Sequence, residues 1–195
     1  MGFAKNAEKR EVKMTRDEAI NLVRKYVKKE NLVKHMLAAG ACMREFAVKF
    51  GEDPDRWEVA GILHDLDYEE TYDKPDIHAI RTVEMLKEMG FEDEEILNAI
   101  LAHAWKKDRE TLMEKVLYAV DPTTGFIVAC ALMHPSKSLA GLSLKFMKKR
   151  FKEKRFAAGA DRNQIRTCEE FGMSLDEFLE TCLEGMKKIS DELGL

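Results

Sequence analysis

At four places in this 195-residue chain a small polar residue stands three positions ahead of a glutamate or glutamine, just where an apolar-periodic run begins. The pairs are Thr15 with Glu18, Thr111 with Glu114, Asp161 with Gln164, and Ser174 with Glu177. In this capping-box arrangement the two side chains satisfy backbone N–H groups that the first helical turn leaves unbonded. Between these starts apolar residues recur at helical spacing, as in Ile20, Leu22, Val23, Tyr26 and Val27, and strand-like alternation is missing. Residues 15–195 are therefore expected to form an all-α, single-domain helical bundle, preceded by a flexible, charged lead-in over 1–14.

Composition narrows the function classes. Hydrophobic residues make up 45% and charged residues 35%, the balance of a globular chain. A net charge of -4 provides no field to attract nucleic acid. No apolar run is expected to reach the ~20 residues that cross a membrane. Gly2 does not complete a myristoylation signal, because Asn6 stands where Ser or Thr is needed. Cys42, Cys130, Cys168 and Cys182 are scattered with no CxxC pair, which reads as buried thiols in a reducing, cytoplasmic setting.

The chemistry concentrates in Trp57 to Glu70, WEVAGILHDLDYEE. Asp53-Pro54 starts a helix that ends in His64-Asp65, with Ala60 and Gly61 small enough for a neighbouring helix to come close. Adjacent helical residues point about 100° apart, so the doublet can edge one pocket only if other helices surround it. Imidazole beside carboxylate suits Fe, Mn, Zn or Mg. His35 lies on the apolar face of a helix over about 31–50, as an inward ligand or as a core histidine bonded to a carbonyl. His78 falls in the first turn of a helix expected from Pro75 to Gly90, as a ligand or as a surface histidine. His103 ends the apolar face of a helix over about 92–104. Asp121 sits within an apolar run, where a carboxylate is costly unless it is paired or holds a metal. Pro122 after it must relax the helix, and the alternative is that Asp121 caps a fresh one. Asp67 can reach the pocket, whereas Glu69 and Glu70 read as solvated.

The order His35, His64-Asp65, Asp121, in NLVKHMLAAG, GILHDLDYE and VLYAVD, resembles the HD superfamily over about residues 31–132. The likeness extends to its uncharacterised predicted hydrolases through HPSKSL and KRFAAGADRNQI. Resemblance implies a helical HD core in which His35, His64, Asp65 and Asp121 hold one divalent ion. Where members of the family bind two, His78 in KPDIHAI and His103 in AILAHAW fit the added places, and Asp65 would bridge. The GYP signature of cyclic-di-GMP phosphodiesterases is missing.

The implied activity is metal-dependent hydrolysis of a phosphate ester or phosphoanhydride, with a nucleotide or related small phosphorylated molecule as substrate. Asp65 would orient water, and Asp67 would act as an acid or base beside it. Lys137 and Arg81 are candidates to hold substrate phosphate, or else solvent-facing cations. Two other classes fit the same ligands, a di-iron oxygenase-like enzyme and a nonenzymatic metal- or nucleotide-binding module.

Overall fold

A computed structural model describes residues 13–195, so the expected lead-in lies, apart from Lys13 and Met14, outside the described residues. Helices run α1 Arg16–Tyr26, α2 Glu30–Phe50, α3 Pro54–Leu63, α4 Tyr68–Thr71, α5 Ile80–Glu88 and α6 Glu94–His103. They continue with α7 Leu112–Met133, α8 Leu144–Phe151, α9 Arg162–Arg166, α10 Leu175–Lys188 and α11 Ser190–Leu193, and a 3-10 turn over Thr167–Phe171 follows α9. There is no strand among the described residues, as the sequence leads one to expect. Thr15, Thr111 and Ser174 each close the expected capping box. Asp161 caps α9 by accepting from the Asn163 and Gln164 backbone N–H groups.

Helix α3 is the buried centre, packed by α1, α2, α6 and α7, with every residue from Trp57 to Leu63 inside. Even Glu58 is enclosed, its charge met by Arg16 at 2.7 Å and Arg44 at 2.9 Å. Helices α2 and α3 approach backbone to backbone. A Cβ on Gly61 would stand 2.6 Å from the Gly40 nitrogen and 2.7 Å from the Ala39 carbonyl. Gly61→Ala must therefore push the helices apart and should destabilise by about 1–3 kcal/mol. That corresponds to roughly 2–4 °C in Tm for each kcal/mol in a chain of this size, read by thermal melting.

Helix α7 runs unbroken through Pro122, so the expected relaxation does not break it and Asp121 caps no new helix. Proline at this position cannot donate to the carbonyl one turn back, that of Tyr118. The Gln164 side chain replaces the missing donor, Nε2 to the Tyr118 carbonyl at 2.9 Å, which also ties α9 to α7. Contrary to expectation, α7 has the length and apolarity of a membrane span, with a mean hydropathy of 1.6. Its apolar window is 61% buried and the helix carries Asp121, which marks it as a core helix.

The C-terminal helices close back on this centre. Helix α10 packs on α2, α7 and α8, with Phe178 stacked on Phe46 at 5.1 Å. Phe151 and Phe156 meet Phe126 of α7 edge-on, while Arg150 and Arg162 lie over the rings. These phenylalanines are thus anchored to the core. Arg162 donates to the carbonyls of Ala157 and Ala160 at 2.9 and 2.6 Å, and also to Phe156, and so fixes the 156–160 turn.

Candidate metal centre

Each imidazole at the centre of the bundle is anchored through its Nδ1. His64 Nδ1 meets the Gly61 carbonyl at 2.7 Å and His103 Nδ1 the Ile100 carbonyl at 2.5 Å, both within their own helices. A carbonyl can only accept, so both Nδ1 atoms carry the proton. His35 Nδ1 stands 2.8 Å from Thr124 Oγ1, whose own hydroxyl donates to the Asp121 carbonyl. Thr124 therefore accepts from His35. His78 Nδ1 stands 3.0 Å from an oxygen of Asp67.

The four Nε2 atoms consequently point inward, at carboxylates, free to carry a proton or to bind a metal. Asp65 Oδ2 lies 3.5 Å from both His35 Nε2 and His64 Nε2, and its Oδ1 lies 3.4 Å from His78 Nε2 and 3.3 Å from His103 Nε2. Asp121 Oδ1 adds a contact of 3.2 Å to His35 and one of 3.7 Å to His64. His35 Nε2 and His64 Nε2 are 3.1 Å apart. Two groups thus form around one shared carboxylate, His35, His64, Asp65 and Asp121 on one side and Asp65, His78 and His103 on the other, the ligand atoms of each within 4.8 Å of one another.

Acceptor atoms gathered this closely repel unless positive charge stands between them. Protons supply it when no metal does. Burial would lower the pKa of His35, but hydrogen bonds to Asp121 and Asp65 outweigh burial and raise it to about 10. His78 is raised to about 10 in the same way, against burial, by Asp65 and Asp67. For Asp65, burial is overcome by the charge of His64 and by bonds from the surrounding histidines, which hold it well below the usual carboxylate range. Asp121 is lowered by His35 and His64, again against burial. The donor set fits divalent ions, and with four imidazoles it suits Fe, Mn or Zn better than Mg.

Two expectations require correction. His78 does not lie in a helical first turn, because α5 starts at Ile80 after Ala79 adopts a left-handed φ of 66°. The cause is Asp67, whose second oxygen accepts the Ala79 N–H at 2.9 Å and holds the turn open. Asp67 itself is 2% exposed, and both its oxygens are engaged. Its oxygens therefore brace the His78 ring and the Ala79 turn and do not face the cluster of Nε2 atoms.

Lys137 and Arg81 are not among the residues brought together. Lys137 donates to the Leu132 carbonyl at the end of α7, and Arg81 is surrounded by Glu70, Glu84 and Glu88 at 3.6, 3.5 and 3.8 Å. Sequence reasoning missed Thr124 and Thr82, which donate no ligand but fix ligand-bearing segments. Thr82 accepts the Asp67 N–H at 3.1 Å. Their only sequence signal is a hydroxyl in an apolar helical face. The centre opens where His35 and Asp121 line a cleft of about 440 Å³ with Pro122, Gly125, Ala129, Ala157, Gly159 and Ala160.

A family model described as HD domain matches residues 32–162. A symmetrical bis(5'-nucleosyl)-tetraphosphatase from Bacillus subtilis (strain 168) is 28% identical, over 55% of this chain and 68% of that protein. No solved structure matches.

Proposed function

This chain belongs to the HD domain family, and we propose that it performs metal-dependent hydrolysis of a phosphate ester or phosphoanhydride in a nucleotide or related small molecule. Family membership and the likeness to a nucleotide phosphohydrolase support a phosphohydrolase. The observation that carries the metal part is Asp65, whose two oxygens each face a separate pair of imidazole nitrogens. His35, His64, Asp65 and Asp121 would hold one divalent ion, and Asp65, His78 and His103 a second. Such ions supply Lewis acidity, which acidifies water and neutralises phosphoryl charge.

The chain's own residues supply the placement. Gly61, Ile100, Thr124 and Asp67 fix the four rings by their Nδ1 atoms, so no ring has to turn when a ligand arrives. His64 and His103 are shielded, whereas His35 and Asp121 border the open cleft, so substrate would enter from their side. The small residues of the cleft wall leave room for a phosphate with its ester group. A reducing, cytoplasmic setting belongs to the same reading, supported by four free cysteines.

Metal analysis of the purified protein, followed by a panel of phosphomonoesters, phosphodiesters and dinucleoside polyphosphates on the same sample, tests this reading. Two ions per chain with phosphate release are expected. Oxygen uptake without hydrolysis, or no turnover after reconstitution with Fe, Mn or Zn, would overturn it. Asp67→Asn should weaken only the second ion, by about 10–100-fold, because it loosens the hold on His78. Metal titration by calorimetry reads this directly.

A further inference from the structure

Immediately after His103, helix α6 ends with the Lys106 N–H on the Leu101 carbonyl at 2.9 Å and the Trp105 N–H on the Ala102 carbonyl. The residue between those bonds, at the position where helices favour glycine, is Trp105, with a φ of 62°. Trp105 is 69% exposed, although the chain's other tryptophan, Trp57, is buried. A bulky residue in a glycine position, turned outward, is costly for folding alone.

Trp105 is not loose. The Arg109 guanidinium lies 4.5 Å from its ring and 3.8 Å from that of Tyr118, and Trp105 meets Tyr118 edge-on at 5.1 Å. The other cations of this loop are committed, Lys107 to Glu110 and Glu114 and Lys106 to the Pro75 carbonyl. Arg109 has no carboxylate within 4.0 Å among the described residues, and its Nε is buried with no hydrogen-bond partner. It serves as a backing plate that holds the indole in one orientation.

The platform is tied through the chain to a ligand-bearing residue on each side. Trp105 is two residues past His103, at most about 7 Å along the chain. Tyr118 is one helical turn before Asp121 on α7, so the two residues lie on neighbouring turns of one helix face. An aromatic face held open beside a phosphate-processing centre matches a flat, heteroaromatic base. We propose that the exposed face of Trp105, backed by Arg109 and Tyr118, stacks the base of a nucleotide whose phosphate lies at the metal centre. The proposal rests on the phosphohydrolase reading and narrows it to nucleotides.

The test compares AMP with ribose 5-phosphate, which carries the same phosphate without the base, on metal-loaded protein. Affinity is read by calorimetry, or as KM wherever the compound is turned over. AMP should be favoured by about 5- to 150-fold and should quench tryptophan fluorescence. Trp105→Gly, which suits the backbone at this φ, should collapse the preference to near unity and abolish the quenching, because only Trp57 remains. Trp105→Tyr should restore most of the preference. Equal affinity for the two compounds in the parent, binding of neither, or an unchanged ratio in Trp105→Gly would overturn the subsite. A Trp105-dependent preference for AMP in a protein that hydrolyses no phosphate ester would sink the phosphohydrolase reading and leave the subsite standing.

Discussion

Replacing Asp65 with asparagine should cost at least one bound ion per chain and reduce phosphate-ester hydrolysis by on the order of a thousandfold or more. The side chain keeps its volume, so packing at the end of α3 survives. Its chemistry does not. One oxygen becomes an NH2 group, which can only donate, and the negative charge between four imidazole nitrogens disappears. Whichever way the amide turns, one of the two groups of ligands loses its oxygen. Inductively coupled plasma metal analysis and steady-state assays on the same sample check this. Retention of both ions with near-parental turnover would show that Asp65 is a structural partner of the histidines and no ligand.

Removing the two outer imidazoles together, by His78→Ala and His103→Ala, should lower stoichiometry to one ion and reduce turnover by about a hundredfold or more. His35, His64, Asp65 and Asp121 remain a complete protein ligand set for one ion without them. The second group has only three residues, one of them shared, so water or substrate oxygen must complete its shell. That ion should also leave first on chelation of the parent protein. Counting ions during titration of the metal-free parent and double variant, alongside activity, decides the point. Equal stoichiometry and turnover in both proteins would confine the chemistry to a single ion.

Much of the fold was legible because its signals are local. Thr15, Thr111 and Ser174 announce their helices through residues three positions away, and the closed capping boxes need nothing else. The convergence of His35, His64, Asp65, His78, His103 and Asp121 was also accessible, through polar groups set in apolar helical faces and through the family resemblance. What escaped was set by contacts between distant segments. The left-handed turn at Ala79 depends on an oxygen of Asp67, twelve positions away, and no local pattern marks an alanine for it. Pro122 reads as a helix breaker because its remedy, the Gln164 side chain, is 46 residues distant from Tyr118. Arg81 and Lys137 read equally as phosphate ligands or as solvent-facing cations, because sequence does not show where a long cationic side chain is engaged. A cation near a site in sequence is easily committed elsewhere, here to three glutamates and to a helix-end carbonyl.

The sharing of Asp65 has a consequence for how such a protein responds to metal supply. Were two ions to bind as proposed, a carboxylate lending one oxygen to each could not serve them independently, since each ion would draw electron density from the same group and fix its angle. Occupancy at either position would then change affinity at the other, and thermodynamic reciprocity would make the two effects equal. Geometric fixing favours the pair, and mutual charge repulsion opposes it. The balance of these two terms sets whether the chain passes abruptly between empty and full or dwells half-loaded when metal is scarce. The half-loaded form would keep its fold, because the rings are anchored by carbonyls, a threonine and Asp67 and not by the ions. Loss of activity under metal limitation would then be reversible without refolding.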